Sequence, residues 1–205
     1  MKEMKKILQI VKWMVKIMIM QKILKKFMEF VRNPIDRLIS GYMHLCYYGY
    51  TENDHYCFGC NKNFTCFVNM LEKRLWQIIN NEPSPFKIGK ELGYSYHFYP
   101  QTWHCDYYKN QHIYTYIKYD SSDKDSFTKN IAKALKKSNI SNDTITFITK
   151  KIYEIRTQHV TISKNATTSY KNILYNNPLL LQKICSIYYY DFIKFGFDLP
   201  KECKN

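Results

Sequence analysis

At 205 residues, with 45% hydrophobic and 17% aromatic content, the chain holds enough apolar material for a packed core, which excludes a disordered polypeptide. A net charge of +14 points to an anionic partner: a nucleotide, an acidic or sulfated glycan, nucleic acid or a membrane surface. Eight lysines against one glutamate fall within residues 1–26, so half of that excess sits in the first eighth of the chain and the rest is only modestly basic.

Residues 1–26 read as a basic, apolar helix. A membrane span needs roughly 20 mostly apolar residues, whereas Lys12 and Lys16 interrupt the longest stretch and Lys22 closes it. Residues 7–20 also lack a small-residue cleavage site. Apolar side chains occur almost all round, which predicts a helix packed beside a sheet, with membrane-surface association as the alternative.

The next stretch, Phe27 to Tyr42, predicts a short strand (Phe27, Phe30, Val31), a turn at Arg32-Asn33-Pro34, then a helix. Asn33 can cap that helix, and Pro34 suits a first turn that needs no amide donor. Arg32 stands at the mouth of the turn and Ser40 two helical turns on, a pairing suited to a phosphate. The chain has 27 lysines but only four arginines, and two of these, Arg32 and Arg37, lie in this segment. Arginine offers the planar, bidentate recognition of anions that lysine lacks.

The helix should run to about Cys46, followed by a polar, aromatic loop over residues 47–63. Residues 64–80 carry apolar side chains at helical spacing (Phe67, Met70, Leu71, Leu75, Ile78). Residues 81–111, punctuated by three prolines and two glycines, read as a long irregular connection, a place where substrates often bind. A second strand is expected over residues 112–119. Helices are expected over 123–137, entered from Ser121-Ser122, over 143–156, and over 178–195 as the closing element. Strands separated by helices imply an α/β architecture with a parallel sheet, and no repeat or linker argues for more than one domain over 1–205.

The cysteines leave three readings open. Cys57-x-x-Cys60, Cys66 and nearby His55 have the flavour of a metal site, although Cys46 and Cys105 make an irregular second pair. Disulfides would suit a secretory compartment, and buried thiols a reducing one. Sequons at Asn63, Asn139, Asn142 and Asn165 do not decide the matter, since an Asn-rich chain generates them by chance.

The pattern Val-Arg-Asn-Pro-x-x-Arg-x-x-Ser-x-Tyr, residues 31–42, closely resembles the 3′-phosphate-binding segment of the carbohydrate sulfotransferases. Two later segments agree in order. His97-Phe-Tyr-Pro-Gln-Thr-Trp-His-Cys105 is similar to that family's His-x-x-Pro-Gln segment. Residues 184–197, with Tyr-Tyr-Tyr-Asp-Phe and then Phe-Gly-Phe, resemble its closing signature. The resemblance spans about residues 26–198.

It implies a helix-rich, sulfotransferase-like fold of the P-loop-NTPase type, with a parallel sheet flanked by helices. It also implies transfer of a sulfuryl group from 3′-phosphoadenosine-5′-phosphosulfate (PAPS) to a carbohydrate hydroxyl, with no metal required. Arg32 and Ser40 would grip the donor's 3′-phosphate, with Arg37 supporting them. Asn165, in the polar run from Ser163 to Thr167, would contact the nucleotide. His97 would be the general base, ahead of His104 and His44, because imidazole titrates near neutral pH.

Enzymes of this kind begin with a Pro-Lys-x-small-x-Ser/Thr loop for the 5′-phosphosulfate. No proline precedes Pro34, and no glycine, serine or threonine precedes Ser40. The chain is therefore expected to be N-terminally incomplete (truncated or started late) or a non-catalytic nucleotide-binding remnant. A Cys57/Cys60-based nucleic-acid module is the more distant alternative. The expected partner is a carbohydrate acceptor and not nucleic acid, in a cytoplasmic or membrane-associated setting.

Overall fold

A computed structural model describes residues 27–48, 57–83, 97–120, 122–154 and 165–204. The expected helix over residues 1–26 lies outside these. In chain order they form β1 (Phe27–Arg32), α1 (Pro34–Tyr42), α2 (Phe64–Ile79), α3 (Tyr107–Asn110), β2 (Tyr114–Tyr119), α4 (Lys124–Lys137), α5 (Asn142–Glu154), α6 (Asn165–Tyr175), α7 (Pro178–Ile187) and α8 (Tyr189–Phe195). The protein is thus helix-rich with a small parallel sheet, β1 beside β2. No described helix is long and apolar enough to cross a membrane.

The described residues group into two compact units. The first comprises residues 27–31 and 108–154. Helix α4 packs against β2 and α5, burying Ile131, Ala134 and Leu135 against Ile117 and Ile148. Phe127 on the same helix meets Phe30 and Tyr119, with ring centroids 5.6 and 5.0 Å away. The helix starts one residue later than expected. Asp123 caps it by accepting from the Ser126 amide at 2.8 Å, while Ser122 donates to the Asp120 carboxylate instead. Strand β2 begins at Tyr114 because Gln111–Ile113 close a 3-10 turn.

The second unit holds residues 32–107 and 165–204 among those described. Its core gathers Ile35, Leu38, Ile39 and Tyr42 of α1, Phe67, Val68 and Leu71 of α2, Leu181 and Ile184 of α7, and Phe192 of α8. Helix α2 matches its predicted span, with Phe64, Phe67, Val68, Leu71 and Leu75 on one buried stripe. Helix α1 stops at Tyr42, but the chain continues through a π-helical turn, Met43–Tyr47, that buries Met43 and Leu45.

The expected single closing helix divides at Tyr188 into α7 and α8. Gly196 ends α8 at φ 62°, and the Phe197 amide reaches back to the Phe192 carbonyl at 2.9 Å. That left-handed stop is why Gly follows Phe195 in the closing signature. A helix that the sequence reading did not contain, α6, begins at Asn165, where a polar loop was expected.

Six cysteines pair as Cys46–Cys57, Cys60–Cys66 and Cys185–Cys203, and exposed Cys105 stands outside the three bridges. Cys57 and Cys60 therefore belong to different disulfides. The Cys-x-x-Cys metal reading, and the nucleic-acid module built on it, are corrected by this pairing: a sulfur committed to a disulfide is not a thiolate ligand.

Candidate functional site

Arg32 is the last residue of β1, and the structure fixes its backbone from both sides. The Asn33 side chain accepts from the Ile35 and Asp36 amides at 3.0 and 3.3 Å, so helix α1 starts immediately after it. The Gln101 carboxamide then binds Arg32 itself. Its Oε1 accepts from the Arg32 amide and its Nε2 donates to the Arg32 carbonyl, each at 2.9 Å. A side chain thus takes the place that a neighbouring strand would occupy, at the point where β1 gives way to α1.

Gln101 is held in turn by Asp191 of α8, which is fully buried. The Gln101 amide donates to Asp191 Oδ2 at 2.7 Å, and the Thr102 amide and hydroxyl each donate to Oδ1 at 2.9 Å. Three donors offset much of the cost of burying a carboxylate. The three sequence segments of the resemblance are therefore joined: residues 31–42 to 97–105 through Gln101, and 97–105 to 184–197 through Asp191.

Two further bonds reinforce the joint. The Arg37 guanidinium donates to the Tyr99 carbonyl at 2.7 Å, and the Tyr188 hydroxyl donates to the Phe98 carbonyl at 2.5 Å. Burial lowers the Arg37 pKa, with nearby Arg32 acting in the same direction and Tyr188 and Asp191 opposing. A guanidinium stays charged under such a shift. Burial pushes the Tyr188 phenol well above its ordinary value, against the pull of Arg37, so it remains a protonated donor.

Ser40 occupies the last turn of α1, on the helix that Arg32 leads into. His97 lies against the same turn. A Cβ added to Gly41 would stand 3.3 Å from the His97 carbonyl oxygen and 3.4 Å from its Cβ. The His97 ring stacks near His44, centroids 5.8 Å apart. The structure thus brings His97 beside the residue that follows Ser40. Asn165 opens α6, which packs on α1; Lys171 pairs with Asp36 at 2.8 Å, and the Tyr170 ring lies 5.2 Å from that of Tyr42.

Gln101, Thr102, Asp191 and Tyr188 were read in sequence only as parts of motifs, and their tasks went unseen. One signal was present. Asp191 occupies a core-facing position between Tyr188 and Phe195 on an apolar helix, and a carboxylate in such a stripe must find donors.

Comparisons with known proteins agree with the motifs. The model described as "Sulfotransferase family" matches residues 2–198, reaching further towards the N-terminus than the motifs alone. Carbohydrate sulfotransferase chst-1 of Caenorhabditis elegans is 31% identical over 173 residues, 82% of this chain and 51% of that protein. An uncharacterized protein of the same organism is 30% identical over 171 residues, 83% of this chain and 46% of its own length. The chain therefore spans about half the length of these curated relatives. No solved structure matches it.

Proposed function

We propose that this chain, which belongs to the sulfotransferase family, binds PAPS through its 3′-phosphate and serves transfer of the sulfuryl group to a carbohydrate hydroxyl. The observation that carries the reading is the anchored Arg32. An arginine at a strand-to-helix junction, with amide and carbonyl both held by Gln101, presents a guanidinium from a fixed base. Ser40 adds a hydroxyl from the same helix, and Asn165 a nucleotide contact at the start of α6. The carbohydrate acceptor is suggested by the name of the chst-1 relative. The finer architecture, a P-loop-NTPase-like sheet, belongs to the same proposal.

In this scheme His97 takes the proton of the acceptor hydroxyl as the sulfuryl group leaves the donor phosphate. PAPS is a co-substrate here, and its reacting end needs donors aimed at the bridging and sulfuryl oxygens. Residues 1–39 contain no glycine, serine or threonine. That observation favours a second reading for the 205 residues taken alone, a nucleotide-binding unit with little turnover of its own. Of the cytoplasmic and membrane-associated settings expected from sequence, the three disulfides disfavour the cytoplasmic one, because they call for an oxidising compartment.

The test is calorimetric titration with adenosine 3′,5′-bisphosphate and adenosine 5′-monophosphate. Arg32→Lys should weaken the first by on the order of 1.5–3 kcal/mol, the range for a charged hydrogen-bonded contact, and barely affect the second. Equal weakening of both nucleotides removes Arg32 from the 3′-phosphate.

A further inference from the structure

We propose that Asp191 and Gln101 form a positioning relay, in which a buried carboxylate on α8 sets the orientation of the Gln101 carboxamide and thereby fixes the backbone of Arg32. The inference rests on the reading of Arg32 as the 3′-phosphate-binding arginine, and it names the residues that make that arginine selective.

A carboxamide can sit in two orientations related by a flip, which exchange its donor and its acceptor. Only one suits Arg32, whose amide needs the oxygen and whose carbonyl needs the nitrogen. Asp191 Oδ2 lies 3.5 Å from Gln101 Nε2 and 2.7 Å from the Gln101 amide nitrogen. The flipped carboxamide would place its oxygen towards a carboxylate oxygen and lose both bonds to Arg32. Asp191 thus does two things: it pins the Gln101-Thr102 backbone through three donors, and it disfavours the wrong face of the Gln101 side chain. Neither residue touches the nucleotide in this scheme; both act through Arg32. The relay also accounts for Gln101 and Asp191, 90 positions apart, being buried polar residues in contact.

The experiment measures the ratio of affinities for adenosine 3′,5′-bisphosphate and adenosine 5′-monophosphate in the full chain, for Asp191→Asn, Gln101→Met, Arg32→Lys and the doubles with Arg32→Lys. Asp191→Asn sets an NH₂ group against donors. Gln101→Met keeps the side chain's length and leaves the three bonds of Asp191 to the Gln101-Thr102 backbone and hydroxyl in place, so it carries the test if Asp191→Asn does not fold. The relay predicts that each single variant cuts the bisphosphate preference roughly tenfold or more, as a displaced binding group does. Affinity for the monophosphate should change little. In the Arg32→Lys background neither substitution should lower the ratio much further, because all three changes act through one contact. A merely structural role lowers the melting temperature and leaves the ratio at its wild-type value; that outcome, with Arg32→Lys still collapsing the ratio, overturns the relay alone. An unchanged ratio in Arg32→Lys overturns the reading of Arg32, and the relay with it.

Discussion

Arg37 and Tyr99 are joined by a 2.7 Å hydrogen bond from guanidinium to carbonyl, which ties helix α1 to the segment that carries Gln101. It is a second attachment between the two segments, independent of the Gln101–Arg32 pair. Replacing Arg37 by Met keeps the apolar stem and removes the guanidinium bond to the Tyr99 carbonyl in a largely buried place. We expect a loss of about 1–3 kcal/mol, read as a lower urea midpoint at unchanged slope. An unaltered midpoint would show that the bond is idle.

Gly41→Ala tests how closely His97 and Phe98 approach α1. The new methyl would meet Phe98 Cε1 at 3.0 Å and the His97 carbonyl oxygen at 3.3 Å. Phe98 is fully buried and its ring has little room to swing. Overpacking costs about 1–3 kcal/mol, while alanine recovers about 1 kcal/mol over glycine inside a helix. The variant should therefore melt lower, with the His97 ring resonances shifted. A higher melting temperature would mean that the contact yields freely.

Tyr188 makes stability fall in alkali. Burial raises its folded-state pKa above the unfolded value of about 10. Below that value both states keep the proton and the stabilisation is complete. As pH rises past about 10 the unfolded chain releases the proton and the folded protein does not, so unfolding is favoured by up to about 1.4 kcal/mol per pH unit for one such group. Tyr42 is shifted upwards too, chiefly by burial and then by Tyr170, and adds to the slope. Tyr188→Phe should flatten the fall measured between pH 10 and 11.5. An identical slope would remove Tyr188 as its source.

The Cys185–Cys203 bridge fastens the turn Lys201–Cys203 onto α7. Changing both residues to alanine should cost about 2–4 kcal/mol. Reduction of the wild type should lower its melting temperature, and the double variant should respond less to reductant than the wild type does.

The parts legible in sequence were those set by neighbours along the chain. Asn33 before Pro34 marked the start of α1, the helical spacing of Phe67, Leu71 and Leu75 marked α2 (Met70, read into the same stripe, is exposed), and Gly196 marked the end of α8. Pairings between distant residues were not legible. Nothing local in Gln101 says that its partner is the Arg32 backbone 69 positions earlier. Nothing in Cys57-x-x-Cys60 says that each sulfur turns to a different partner. The long-range bond of Tyr188, whose hydroxyl reaches the Phe98 carbonyl 90 positions back, was hidden in the same way. Asn165, placed in a loop by its polar neighbours, starts a helix whose side chains Tyr170 and Lys171 engage α1.

The disulfides have a further property in their order. The pairs 46–57, 60–66 and 185–203 neither nest nor cross along the chain. During vectorial synthesis Cys46, Cys57, Cys60 and Cys66 emerge in that order, each able to pair with the next or the previous of the four, and short loops close at the least entropic cost. Cys105 appears after two bridges can already have formed, and before either member of the third exists. Emergence from the ribosome therefore sorts the thiols in time. These 205 residues refolding from denaturant have no such schedule, so they should scramble bridges that stepwise emergence under oxidising conditions would form correctly.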